Sequence, residues 1–270
     1  MTKPPPDDRR RSIAAVTFDY WNTLVAENPA ATPQRIDRWH DVLTAAGRQI
    51  SRSQVAAGVA ALSADAADRW HRGEATSPAQ AVERFLGFVG VSATPTTTFG
   101  ELVAVIEAGM GPAEMRPADG IGAALEALHA AGLRLGIICD VGITPSATLR
   151  GYLDHHGLLA AFDHWSFSDE VGAFKPDRRI FDHARSGLGL ATSTALAHVG
   201  DLRRTDIAGA QAMGWLAVRY RGIYDDDPAG APEHADGWLG NVPRTVEGDV
   251  VIEAHAELAG RLLGELPTPS

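Results

Sequence analysis

Short apolar runs alternate with helical segments between Met115 and Arg219, and this alternation limits the possible folds more than any other feature of the sequence. The runs are long enough to form buried strands but too short to form a helix of ordinary length. We predict strands at Ile13–Asp19, Arg134–Cys139, His164–Ser168, Ala195–Val199 and Leu216–Arg219. Strands that alternate with helices pair in parallel through right-handed crossovers. The sequence therefore predicts an α/β fold with a Rossmann-like parallel sheet.

A long Ala-rich block separates the first predicted strand from the others. Thr32-Pro33 predicts a helix start, because proline is favoured at the first helical position, and Ser77 with Gln80 has the spacing of a capping box. We predict an inserted α-helical bundle at residues 26–114 and a core domain at 13–25 and 115–264. Residues 1–12 and 265–270 are expected to be tails, the first of them disordered. A last helix is predicted at Val250–Leu263.

The charge and cysteine content exclude several classes of protein. The chain has 24 Lys and Arg against 34 Asp and Glu, a net charge of −10, and no basic stripe. Nucleic acid is therefore not the expected partner. No apolar run reaches the length of a membrane helix, and no apolar signal core follows the N-terminal arginines, so no membrane association is expected. The single cysteine, Cys139, excludes an internal disulfide and favours a reducing, cytoplasmic location.

Polar residues follow the ends of four predicted apolar segments. They are Asp19, the pair Cys139-Asp140, Lys175, and Asp201 with Asp206. The carboxyl ends of parallel strands meet at one edge of a sheet, where α/β proteins bind ligands. Carboxylates gathered there repel one another unless they bind a cation, and hard oxygen ligands suit Mg²⁺. Lys175 is the only lysine outside the N-terminal tail, which makes it a candidate to bind an anion at this edge.

Four segments resemble the motifs of the haloacid dehalogenase-like (HAD) hydrolase superfamily, in the order that family has them. They are Phe18–Leu24 (FDYWNTL), Leu135–Asp140 (LGIICD), Phe167–Asp177 (FSDEVGAFKPD) and His198–Ala210 (HVGDLRRTDIAGA). The resemblance implies a HAD-like core with a helical cap, inserted after the first motif. It also implies hydrolysis of a small-molecule substrate, most simply a phosphate ester.

The resemblance assigns roles to individual residues. Asp19 resembles the nucleophile, Thr23 a residue that supports the loop or contacts the phosphoryl group, and Lys175 the lysine that pairs with the nucleophile. Asp19, Asp201, Asp206 and the backbone carbonyl of Trp21 correspond to the Mg²⁺ ligands. Cys139, Asp140 and Trp21 correspond to positions that contact the substrate.

Two positions depart from the phosphatase pattern. Trp21 stands where these phosphatases carry a second Asp that transfers protons, and an indole cannot replace it. Cys139 stands where the second motif has a hydroxyl, and a thiol is a weaker donor. Residues of the inserted bundle could supply the missing acid; His40, His71 and Glu74 are the candidates.

Two alternatives to a phosphatase therefore remain. The first is a 2-haloacid dehalogenase, in which Asp19 attacks carbon and an aromatic residue occupies the position of Trp21. The Gly200-Asp201 pair with Asp206 argues against it, because this is the metal-binding form of the fourth motif. The second alternative is a catalytically weak HAD fold that binds a phosphorylated ligand or a partner protein.

Overall fold

The computed structural model describes residues 13–226 and 245–264. The predicted tails and residues 227–244 lie outside these residues. Contacts divide the chain into two compact units. The first contains the described parts of Met1–Ala26, Pro117–Asp140 and His156–Ser270, and the second contains Glu27–Arg116 and Val141–His155. The second unit thus includes Val141–His155, a segment that the sequence analysis assigned to the core domain.

The first unit is built on a parallel sheet of six described strands. They are β1 (Ile13–Phe18), β4 (Arg134–Cys139), β5 (His164–Phe167), β6 (Ala195–Gly200), β7 (Leu216–Tyr220) and β8 (Val250–Ile252). Their order across the sheet is β5-β4-β1-β6-β7-β8. Both neighbours of β1 pair with it in parallel. The central strands are apolar and almost wholly buried, as strands covered on both faces must be. The α/β class and the parallel sheet are confirmed.

Helices of the first unit pack on this sheet. They are α5 (Ile121–Ala130), α7 (Ser168–Val171), α8 (Arg178–Gly187), α9 (Ala208–Ala212) and α10 (Leu258–Leu263). A buried cluster that includes Phe181 of α8 and Trp215 joins helices to strands, and the two rings meet edge to face with centroids 5.5 Å apart.

The last predicted helix is wrong in its first part. Val250–Ile252 pairs with β7 as an edge strand, and the α-helix begins only at Leu258. Three consecutive β-branched residues favour a strand where a neighbour offers free backbone groups. A short 3₁₀ turn at His255–Glu257 joins this strand to α10.

The second unit is helical, as its sequence indicates. It contains α1 (Ala31–Ala45), α2 (Arg52–His71), α3 (Pro78–Phe88), α4 (Thr96–Ala108) and α6 (Ser146–His155). Trp39 is fully buried, and its ring lies 4.2 Å from that of Phe85. The capping box of Ser77 and Gln80 is confirmed. The start predicted at Thr32 is wrong, because α1 begins at Ala31 without a side-chain cap.

Two short strands occur where the chain passes between the two units. Strands β2 (Val25–Glu27) and β3 (Met115–Pro117) pair with each other and form a separate two-stranded sheet. Strands of three residues carry too little alternation to be recognised from sequence. Within the described ranges, no helix has both the length and the apolar character needed to cross a membrane.

Candidate active site

Three buried carboxylates meet at the carboxyl edge of the sheet. Asp19 follows β1, and Asp201 follows its neighbour β6; the Asp19 amide donates to the carbonyl of Val199 at 2.8 Å. Asp206 comes from the turn after β6. One oxygen from each of the three carboxylates lies within 4.8 Å of the other two. The parallel register of adjacent strands therefore brings together acids that are up to 187 positions apart in the chain.

Local backbone geometry fixes the position of Asp206. Arg203–Ile207 forms a π-helical turn, and the Leu202 amide donates to Asp206 Oδ2 at 3.1 Å. Gly200 leaves room for this carboxylate, because a Cβ at position 200 would lie 2.3 Å from Asp206 Cγ. Two carbon atoms cannot approach so closely, so any larger residue at position 200 would displace the Asp206 side chain. Glycine is therefore required at this position.

Lys175 links the carboxylates. Its ammonium donates to Asp19 Oδ1 and, at 2.6 Å, to Asp206 Oδ1, and the lysine is almost completely buried. The backbone amide of Lys175 donates to Asp140 Oδ1 at 2.9 Å. Asp140 therefore holds the loop that carries Lys175 in place.

The three carboxyl groups differ in acidity. Burial raises the pKa of Asp19 to about 7, with Lys175 opposing the shift and Asp206 adding to it. Burial and the charge of Asp19 raise the pKa of Asp201 well above its ordinary value. Burial also acts on Asp206, but Lys175 and His198 outweigh it and hold the pKa of that carboxyl below its usual range. Asp206 is therefore the most acidic of the three carboxyl groups.

His198 is a site residue that the sequence analysis did not identify. It is fully buried in β6, with Nε2 3.1 Å from Asp206 Oδ1 and Nδ1 2.9 Å from Thr17 Oγ1. Burial lowers the pKa of His198, so the ring is neutral and Nε2 carries the proton given to the carboxylate. A histidine within the apolar run ALAHVG, two residues before Gly200, is the signal that could have revealed it.

The loop after β1 carries Trp21, Asn22 and Thr23. Trp21 Nε1 donates to the backbone carbonyl of Asp140 at 3.2 Å. Asn22 adopts a positive φ of 54°, a conformation that asparagine tolerates, and its amide lies 3.4 Å from Asp201 Oδ2. The loop thus places the Asn22 amide beside Asp201. The one polar hydrogen of Trp21 is engaged by the Asp140 carbonyl.

Thr23 and Cys139 are both buried at this end of the sheet. Thr23 Oγ1 makes no hydrogen bond to any described residue, while the Thr23 carbonyl lies 2.8 Å from Nε2 of the buried His255. Burial, and next the charge of Asp19, raise the pKa of the Cys139 thiol well above its ordinary value. Cys139 is therefore a protonated thiol, and Thr23 keeps an unused buried hydroxyl.

The proposed replacements for the missing acid all belong to the second unit. They are His40, His71 and Glu74. Glu74 is ion-paired with Arg69 and Arg72, and the hydrogen bond from Arg72 lowers the pKa of its carboxyl. Glu74 is thus ionised near neutral pH and poorly suited to donate a proton. The part of these residues in catalysis stays a prediction.

The donor set fits a hard dication. Three carboxylates with converging oxygen atoms match the ligand preference of Mg²⁺. The buried ammonium of Lys175 contacts two of the carboxylates and partly offsets their mutual repulsion. A single ammonium does not balance three carboxylates, so the site can still accommodate a cation. The metal-ligand role of the Trp21 carbonyl stays a prediction.

Comparison with known proteins identifies the family of this chain. A family model described as haloacid dehalogenase-like hydrolase matches residues 13–214. The phosphoserine phosphatase of Thermus thermophilus is 39% identical over 87 residues, which cover 32% of this chain and 34% of that protein. The matches to curated relatives span between 34% and 45% of those proteins.

Solved structures share the fold over nearly the whole chain. A HAD phosphatase from Thermococcus onnurineus superposes with a TM-score of 0.59 at 22% identity, covering 93% of this chain and 98% of that one. A 2-haloacid dehalogenase from Pseudomonas syringae pv. Tomato DC3000 gives a TM-score of 0.60 at 23% identity with the same coverage. The solved structures show the shared fold, and the family model that matches residues 13–214 establishes that the chain belongs to the haloacid dehalogenase-like hydrolase family.

Proposed function

We propose that this chain is a Mg²⁺-dependent phosphatase that acts on a small phosphate ester, with Asp19 as its nucleophile. The observation that carries the proposal is the contact of buried Lys175 with both Asp19 and Asp206, inside a cluster of three carboxylates. Phosphoryl transfer depends on positioning and charge neutralisation, so a phosphatase needs a nucleophile beside positive charge; here Lys175 supplies one charge, and the three carboxylates would hold an ion that supplies more.

The first step forms a bond between a carboxylate oxygen of Asp19 and phosphorus while the bond from phosphorus to the leaving oxygen breaks. Lys175 holds Asp19 in place through its hydrogen bond and offers its charge to the transferring oxygens. Asp19 is an effective nucleophile only when ionised. Its pKa of about 7 therefore predicts that only part of the metal-free protein carries an ionised Asp19 at neutral pH.

Asp19, Asp201 and Asp206 would hold the metal ion. Bound Mg²⁺ supplies positive charge to the phosphoryl oxygens and keeps the three carboxylates ionised. His198 orients Asp206 by its hydrogen bond, and the Gly200 backbone leaves the room that Asp206 needs.

Trp21 predicts an unusual dependence on the leaving group. Its indole hydrogen is donated to Asp140, and an indole does not exchange protons near neutral pH. An enzyme without a general acid loses about 10²–10⁴-fold in rate where the leaving oxygen needs a proton. We therefore expect aryl phosphates to react much faster than alkyl phosphates.

Hydrolysis of para-nitrophenyl phosphate with Mg²⁺ tests the proposal, because nitrophenolate leaves without protonation. Asp19→Asn should reduce nitrophenolate release by roughly 10³-fold or more. Asp119→Asn is the matched control, since Asp119 is an exposed aspartate of the same unit. Excess EDTA should abolish release by the wild type, and a rapid burst followed by slow turnover should show that hydrolysis of the phosphorylated Asp19 is limiting.

Different outcomes would support the alternatives. Halide release from 2-chloropropionate that persists in EDTA and requires Asp19 would contradict the phosphatase and support a dehalogenase, which the aromatic Trp21 favours. Tight binding of a phosphate ester without any product would support a binding protein. Wild-type turnover by Asp19→Asn would exclude all mechanisms in which Asp19 is the nucleophile.

A further inference from the structure

Two histidines face each other at the end of the sheet opposite the carboxylates. His164 is the first residue of β5, and His183 lies on α8. His164 Nε2 is 3.4 Å from His183 Nδ1, and the ring centroids are 5.0 Å apart. Both residues belong to the first unit. Strand β5 leads away from His164 towards its carboxyl end at Phe167, so this pair is separate from the residues assigned to hydrolysis.

The distance between the two nitrogen atoms matches chelation of a metal ion. Imidazole nitrogens bind Zn²⁺ at about 2.0–2.1 Å in tetrahedral sites. Two ligands at the tetrahedral angle are then about 3.3–3.4 Å apart. The observed 3.4 Å lies at this value, so the spacing of the two nitrogen atoms suits a single ion.

The packing of α8 holds the ring of His164 in position. A Cβ at Gly187 would lie 2.2 Å from His164 Nε2, so only glycine lets the imidazole rest against the helix there. Gly187 follows His183 by four residues, which places both on the same face of α8. The chelating arrangement is thus built into the contact between β5 and α8.

The two imidazoles are also chemically available. His183 is exposed, and His164 is only partly buried, so an ion can reach the pair from solvent. Burial and the proximity of His183 lower the pKa of His164, which keeps its ring neutral near pH 7. The hydroxyl of buried Ser166 lies 2.8 Å from His183 Nδ1, so an ion bound at this nitrogen would replace that hydrogen bond.

We propose that His164 and His183 form a second metal site that binds a late first-row dication, such as Zn²⁺ or Ni²⁺, between β5 and α8. Imidazole nitrogen selects these ions over Mg²⁺, which prefers oxygen. Binding requires each ring to carry its proton on the nitrogen that faces away from the ion, with water completing the coordination. Because the ligands come from two elements that are separate in the unfolded chain, binding stabilises the folded protein.

Titration calorimetry with Ni²⁺ in the presence of excess Mg²⁺ tests the site. The wild type should bind one Ni²⁺ at the pair, and His164→Ala and His183→Ala should each weaken that binding by about 10–100-fold or more. His129→Ala is the matched control, because His129 is an exposed histidine of the same unit. Asp201→Asn should leave Ni²⁺ binding at the pair unchanged, which separates this site from the proposed phosphatase centre.

Thermal unfolding provides the second readout. Ni²⁺ should raise the melting temperature of the wild type and of Asp201→Asn but not of His183→Ala. His183→Ala also removes the hydrogen bond to buried Ser166, so each variant is compared with itself in EDTA and in Ni²⁺, and the test is the increase in melting temperature that Ni²⁺ causes. Ni²⁺ affinity of His183→Ala equal to that of the wild type would overturn the proposal, and so would loss of the same binding in Asp201→Asn.

Discussion

Removing the charge of Asp19 should stabilise the metal-free protein although it abolishes the proposed activity. The Asp19 carboxyl is buried with two other carboxylates, and Lys175 alone supplies a neighbouring ammonium. Asparagine has nearly the same shape and no charge. Asp19→Asn therefore removes the cost of ionising a buried carboxyl while the surrounding packing stays intact.

The magnitude follows from the pKa of Asp19. Burial raises it from 3.8 to about 7, and folding therefore favours the protonated form. Between these pH values the folded state binds more protons than the unfolded state, so the free energy of unfolding falls as the pH rises. Each unit of pKa difference corresponds to about 1.4 kcal/mol, which gives Asp19→Asn an advantage of about 2 kcal/mol at pH 5 and about 4 kcal/mol at pH 7.

Urea unfolding in EDTA at pH 5 and at pH 7 measures this advantage. Asp119→Asn should change the unfolding free energy by less than about 0.5 kcal/mol, as exposed substitutions do. Mg²⁺ should then stabilise the wild type more than Asp19→Asn, because only the wild type offers the third carboxylate. If Asp19→Asn is no more stable than the wild type in EDTA at pH 7, burial does not penalise ionisation of the Asp19 carboxyl as a pKa of about 7 requires.

Three further substitutions test neighbouring features of the same site. Lys175→Met leaves the buried carboxylates without their cation and should destabilise the metal-free protein by about 3–5 kcal/mol in urea unfolding; an unchanged midpoint would contradict the ion pairs. Gly200→Ala forces a Cβ against Asp206 and should weaken Mg²⁺ binding about 10–100-fold in calorimetry, whereas unaltered affinity would show that the turn can adjust. Burial lowers the pKa of His255 below 6.5, so acid should destabilise the wild type as the pH falls through 6.5. His255→Gln should lose less stability over this range, and parallel pH profiles would refute the assignment.

Much of the candidate site could be predicted because its residues stand at strand ends. Asp19, Asp201 and Lys175 each follow or flank an apolar run, and parallel strands deliver such positions to one edge whatever their separation in the chain. The motifs around these residues also resembled the family that the comparisons established. The edge strand Val250–Ile252 escaped prediction, because its pairing depends on β7 rather than on a pattern of its own.

The sequence by itself determined the α/β alternation, the inserted helices and the acids that gather at the carboxyl edge of the sheet. These features follow from local periodicity and from the polarity of single positions. Only the tertiary structure decided that His198 contacts Asp206 and that His164 meets His183. Such contacts depend on strand register, helix packing and the volume of residues such as Gly187, and none of these quantities has a local signature. The packed fold sets the 3.4 Å between His164 Nε2 and His183 Nδ1, and the proposed metal binding depends on that distance.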